Sequence, residues 1–206
     1  MPQREPPRLL GPRVALTLAG PADGAALAAF HDREWDYLGP WMPPRSAAWR
    51  TEPYWRRWGA DAAELFLEDR AVRLVLRLPD QPEAGIIGQL NLNMLARGPF
   101  QAATLGYHLA AAQQGQGLMR EALELAIAYA FGPLGLHRLM ANHLPENARS
   151  AALLQRLGFA REGYAKDYLF IGGAWRDHVL TALTNPDPVD PRPGRPGTRF
   201  PRPPLL

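Results

Sequence analysis

Apolar residues along this chain switch between a spacing of two and a spacing near 3.6, and the switches mark out its elements. Arg13-Val14-Ala15-Leu16-Thr17-Leu18 alternates and predicts a first strand. Pro21-Ala22-Asp23 opens a helix running to about Arg33, with Asp23 placed as its N-cap. A proline-broken aromatic loop (Trp35, Tyr37, Trp41, Pro43, Pro44) leads to a second helix from about Pro53 to Glu68. Arg70 to Leu78 and Gly85 to Leu95 alternate around Pro79-Asp80-Gln81-Pro82, as a β-hairpin does. Thr104 to Ala110 predicts another strand. Leu118, Ala122, Leu125, Ala126, Tyr129 and Ala130 then recur at helical spacing from Gly117 to Phe131, where Gly132-Pro133 stops the helix. A strand over Arg138 to His143, a helix over Asn147 to Leu157 and a last hairpin turning at Gly172-Gly173 complete the pattern. The order β-α-α-β-β-β-α-β-α-β-β predicts an α/β fold built on one mixed sheet with helices on both faces.

Composition adds boundaries to this picture. Residues 185–206 hold eight prolines and four arginines with little to bury, and residues 1–12 are similarly poor in apolar pattern, so both ends are expected to lie outside a folded domain at 13–184. No apolar run approaches the ~20 residues of a membrane helix, and there is no signal-peptide-like start. Cysteine is absent and the five histidines lack metal-ligand spacing, so neither a disulfide framework nor a metal site is expected. A cytoplasmic protein fits best. The net charge of +3 comes almost wholly from arginine, Lys166 being the one lysine. That balance permits an acidic partner such as ribosomal RNA, but no DNA-binding motif is present.

The chemistry lies in the loop between the Thr104–Ala110 strand and the following helix. In Gln114-Gly115-Gln116-Gly117 the alternate glycines leave no β-carbon beside a bulky anion. The helix start adds unpaired N–H groups and a positive dipole end. Such a loop is either a tight turn or a cradle for phosphate or pyrophosphate. It lacks the Gly-Lys-Ser/Thr ending of a P-loop, and Arg120 stands where a dinucleotide fingerprint needs its third glycine.

Gly106-Tyr107-His108-Leu109 followed by Gly115-Gln116-Gly117-Leu118-Met119 resembles the acetyl-CoA signature of the GNAT acetyltransferase superfamily. Asn147-Ala148-Arg149-Ser150 with Leu157-Gly158-Phe159 resembles its second cofactor motif. Gly98-Pro99-Phe100, His137 to Asn142, Glu162 to Leu169 and Trp175 to Leu180 are similar to the bacterial ribosomal-protein-alanine N-acetyltransferases. The resemblance spans Arg13 to Thr184. It implies acetyl-CoA as co-substrate, without a metal. Its pantetheine would enter a sheet splayed between the Thr104–Ala110 and Arg138–His143 strands, and its pyrophosphate would lie on the Gln114–Met119 amides. The cofactor contacts it implies are Leu109, Ala111, Gln114, Gly115, Gln116, Gly117, Leu118, Met119, Asn142, Asn147 and Ser150. One departure is Ala112, where the superfamily usually carries Gln or Arg.

The resemblance further implies Ser150 as donor of a proton to the leaving CoA sulfur. Asn142 stands where some relatives carry a glutamate base, and Leu169 where others carry a carboxylate; neither can take a proton. Asp167, Glu34 and His108 stay as candidates for that task. A protein α-amine has a pKa near ~8, against ~10.4 for lysine, so a water relay could suffice for an N-terminal acceptor. The acceptor groove is expected between the loop after the first helix and the final hairpin, lined from among Glu34, Trp35, Tyr37, Trp41, Tyr107, Tyr168 and Trp175. The implied activity is acetylation of a protein N-terminus, the N-terminal alanine of a small-subunit ribosomal protein, with ribosome association possible and the oligomeric state open. A small-molecule amine acceptor and a non-catalytic acyl-CoA-binding module are the alternatives.

Overall fold

The structure is a computed structural model that describes residues 5–187. Its strands are β1 Arg8–Leu10, β2 Ala15–Leu18, β3 Val72–Arg77, β4 Gly88–Ala96, β5 Ala102–Leu109, β6 Arg138–Met140, β7 Ala160–Ile171 and β8 Ala174–Thr184. They form a single sheet in the order β1-β2-β3-β4-β5-β6-β8-β7. Every pairing is antiparallel except β5 with β6. The helices are α1 Gly24–Arg33, α2 Trp35–Leu38, α3 Glu52–Leu67, α4 Leu118–Phe131 and α5 Ala148–Arg156. No helix among the described residues is long and apolar enough to cross a membrane.

The period of two explains how one sheet carries helices on both sides. Leu74 and Leu76 of β3 and Leu90 and Leu92 of β4 share a core with Ala122, Leu123 and Ala126 of α4. Val75, between two of them, joins Leu27 and Phe30 of α1 and Trp55 and Ala62 of α3 in a second core. Each of those four leucines is 0% exposed, and burial of such a side chain contributes about 1.5–3 kcal/mol.

Three details differ from the sequence pattern. Arg8–Leu10, expected to lie outside the domain, pair with β2 as an edge strand. Asp23 occupies the N-cap position of α1, as expected, but its side chain makes no capping bond there. Pro21–Asp23 form a 3-10 turn, and the Asp23 carboxylate turns back to accept from the Gly20 N–H at 2.8 Å and from Arg77. The loop after α1 is not irregular throughout, since it holds α2 and two 3-10 turns. At the other end Asn185 is buried, its N–H donating to His137 O at 2.7 Å. Residues 188–206, most of the expected proline-rich tail, lie outside the described residues.

The parallel pair matters most. Its register covers only Ala102 to Thr104 against Arg138 to Met140. Beyond that β5 runs on to Leu109, while the chain after Met140 stays with β8 through Ala141 N–H to Thr181 O (2.9 Å) and a bridge between His143 and Val179. The two strands therefore part company, and the sheet opens on the side where α4 and α5 begin.

Candidate active site

The glycine loop sits at the end of β5. Ala110 N–H still bonds Ile87 O at 2.8 Å, and Ala111–Gln113 form one 3-10 turn. Gly115 and Gly117 then adopt φ of +74° and +79°. Side chains other than hydrogen rarely take that region, so the glycines are needed for the backbone path itself. Gly117 is the N-cap of α4 and has no side chain with which to cap it. The N–H groups of Gly115, Gln116 and Gly117 form no hydrogen bond among the described residues, and the first turn of α4 adds its own unpaired donors. A row of free backbone donors at a helix start favours an anion by its electrostatics.

Distant residues hold this loop in place. The Arg13 guanidinium donates to Gln116 O at 2.9 Å and to Glu121 Oε2 at 2.9 Å. Glu121 Oε1 in turn accepts from the N–H of Arg13 (2.7 Å) and of Val14 (3.2 Å). Although burial pushes the Glu121 carboxyl up, the Arg13 and Val14 donors outweigh it and hold the group below its ordinary range. Glu34, expected to attract an ammonium, is 7% exposed and braces the loop instead. Its Oε1 pairs with Arg33 Nε at 3.0 Å and its Oε2 accepts from Ala111 N–H at 2.9 Å. That bond also takes the Ala111 N–H away from any cofactor. Leu118 and Met119 point their side chains into the core, so only their backbone can face an anion, and Leu109 is likewise buried.

The opposite wall of the opening is α5. Asn147 caps it, Oδ1 accepting from Ser150 N–H at 3.0 Å. This fixes the Ser150 side chain on the first turn, with its Oγ 2.7 Å from the Tyr107 hydroxyl of β5. Burial pushes the Tyr107 phenol up to about 12, against a smaller opposing effect of the Ser150 bond. Nearer the glycine loop, the Gln114 side chain donates to the Tyr37 hydroxyl and accepts from Arg149, which also donates to Tyr37 at 3.2 Å. Residues of α2, the loop and α5 thus meet in one cluster.

Asn142 lies just past β6, its Oδ1 accepting from Thr181 N–H (3.3 Å) and its Nδ2 donating to the Tyr168 hydroxyl (3.2 Å). Two expected site residues are thereby joined. Trp35 is half-buried, its ring packing edge-on to Trp49 at 5.0 Å with the Arg50 guanidinium 5.2 Å from it. The two segments expected to flank an acceptor do meet, since Gly172 N–H at the tip of the last hairpin donates to Met42 O at 3.1 Å. Trp175 faces outward, 61% exposed.

Of the expected base candidates, Glu34 is committed to Arg33 and Ala111, and His108 is held in the interior. His108 sits 5.3 Å from His31 in an aromatic cluster under α1 and α3. Burial lowers their pKa values to about 3 and about 4, so both rings are neutral and weakly basic. Asp167 has φ +48° within an irregular stretch of β7 and its N–H donates to Asp177 Oδ1 at 2.9 Å. No group of three or more potential metal ligands occurs among the described residues.

Residues 13–160 match the family model described as an acetyltransferase (GNAT) domain. The chain belongs to the GNAT acetyltransferase family. It is 43% identical over 180 residues to the [ribosomal protein uS5]-alanine N-acetyltransferase of Escherichia coli, covering 87% of this chain and 92% of that one. The structure of ribosomal-protein-S5-alanine acetyltransferase from Vibrio fischeri superposes with a TM-score of 0.83 at 36% identity, over 91% of this chain and 100% of that one. Mycobacterium smegmatis RimJ in complex with CoA-disulfide gives 0.78 at 28% identity, over 88% of each. This GNAT acetyltransferase therefore shares its fold with a protein that holds CoA. Nothing local in the sequence links Arg13 with Glu121, 108 positions apart. Arg149 lies inside the Asn147–Ser150 motif, where its charge is the available signal.

Proposed function

We propose that this enzyme transfers acetyl from acetyl-CoA to the N-terminal α-amine of a protein, the N-terminal alanine of a small-subunit ribosomal protein. The observation that carries this reading is the 43% identity extending over 92% of the E. coli enzyme named for that reaction. The donor fits the chain on independent grounds, because Gly115, Gln116 and Gly117 present free N–H groups at the start of α4, as a pyrophosphate requires. Bound acetyl-CoA supplies the activated acyl group.

The residues of the chain divide the remaining tasks. The loop amides and the α4 terminus take the pyrophosphate charge. Ser150 holds a proton at Oγ for the leaving sulfur. Tyr107 keeps its own proton, and its hydroxyl 2.7 Å away can donate to Ser150 Oγ, an arrangement that leaves the serine hydrogen free to point at the sulfur. No strong base is required, since an α-amine of pKa near ~8 is partly neutral at physiological pH and can lose its proton to water. Acting on a ribosomal protein also makes association with the ribosome a possible setting for the reaction.

The test offers acetyl-CoA with peptides beginning Ala, Ser or Met, beside free lysine and polyamines, and follows CoA release and product mass. Preferred transfer to the Ala-initial peptide supports the proposal. Transfer confined to the small amines would replace it with a small-molecule acetyltransferase, and CoA binding without turnover would leave an acyl-CoA-binding module.

A further inference from the structure

Arginines near the glycine loop are almost all matched with carboxylates. Arg13 pairs with Glu121, Arg33 with Glu34 and Arg120 with Glu124. Arg149 is different. Its contacts are the neutral oxygens of Gln114 and Tyr37, and it forms no ion pair among the described residues. The guanidinium reaches from the first turn of α5 across the mouth of the opening to the residue immediately before Gly115. On the loop itself, Ala112 offers only a methyl group. An unneutralised guanidinium beside a row of free N–H donors makes a site with one unmet electrostatic demand, which a phosphate answers in charge and in bidentate geometry.

We infer that Arg149 is the phosphate-binding side chain of the cofactor site, supplying from α5 the charge that the loop lacks at Ala112. The inference rests on the acetyl-CoA reading above. Gln114 and Tyr37 hold the guanidinium extended over the cleft before the phosphate arrives, so little ordering remains on binding. Two phosphate positions on CoA share this chemistry, the pyrophosphate and the 3′-phosphate, and ligand variants separate them.

The test is calorimetric titration of the full chain and its R149A and R149K variants with CoA, 3′-dephospho-CoA and pantetheine. Arg149 is exposed, and thermal melts compared with wild type confirm that each variant folds. R149A should bind CoA roughly tenfold to hundredfold more weakly, the scale of a charge-assisted hydrogen bond to an anion, and R149K should recover part of that loss. Pantetheine should not distinguish the variants from wild type. An R149A deficit that survives removal of the 3′-phosphate assigns the guanidinium to the pyrophosphate; one that disappears assigns it to the 3′-phosphate. Equal CoA affinity in R149A and wild type overturns the inference while leaving the cofactor reading intact, as does an equal deficit with pantetheine. Wild type that fails to bind CoA at all overturns both.

Discussion

The hydroxyl of Tyr107 and the Oγ of Ser150 lie 2.7 Å apart, joining β5 to the first turn of α5 across the opening in the sheet. With the phenol pushed up to about 12 by burial, Tyr107 stays protonated through the neutral range. Ser150→Ala should lower kcat by about 10²-fold, the lower range for general acid catalysis, with CoA affinity changed little. Tyr107→Phe should lower kcat roughly tenfold, for loss of one orienting hydrogen bond. Steady-state kinetics beside calorimetry separates the two quantities, and an unchanged turnover in Ser150→Ala would remove it as the acid.

Asn147→Ala strips the cap from α5 and leaves the Ser150 N–H without its acceptor. The expected loss of stability is about 1 kcal/mol, read from a urea unfolding curve. Because the same bond sets where Ser150 points, kcat should fall as well.

Gly117→Ala forces a β-carbon onto φ +79° and brings it 3.4 Å from an Arg13 nitrogen. The backbone penalty is about 1–2 kcal/mol. With the loop as the proposed donor cradle, KM for acetyl-CoA should rise more than kcat falls. A variant with normal KM and merely lowered stability would show that the loop does not bind the donor.

Acid should weaken the fold through His31 and His108, which are held neutral by burial with pKa values of about 4 and about 3. In the unfolded chain both take protons near the ordinary ~6.5. Protons therefore bind the unfolded state first, so stability is full above about pH 6.5 and declines as pH falls toward 4. Between pH 7 and pH 5 the expected loss is roughly 2–4 kcal/mol for the pair. Denaturant midpoints at the two values should differ by that amount, and His31→Gln should flatten the dependence. A midpoint insensitive to pH in that interval would contradict the buried neutral pair.

The order of the central elements was readable because each rests on a local pattern. The α4 stripe, the β3–β4 alternation and the Gly172-Gly173 turn recur in the structure nearly where the spacing places them. β1 was not readable, because three residues near a proline-rich end carry too little alternation to be told from a loop. Asp23 holds the N-cap position of α1, yet Pro21 starts a 3-10 turn ahead of it and the Asp23 carboxylate turns back to Gly20 rather than into the helix. Trp35 and Glu34 look like groove residues from their types alone. Only packing shows what they touch, with Trp35 set against Trp49 and the Glu34 carboxylate drawn to Ala111 N–H.

The sequence by itself determined the backbone chemistry of the glycine loop. Glycines at alternate positions before an amphipathic helix permit positive φ, and the helix start leaves N–H groups without intrahelical partners, with no need of residues elsewhere. Only the tertiary structure decided which side chains serve that site. Ser150 meets Tyr107 across 43 residues, Glu34 meets Ala111 across 77, and Arg149 meets Tyr37 across 112. Hydrogen bonds over such separations depend on which strands and helices become neighbours, and that is settled by burying two cores on one sheet rather than by any local preference.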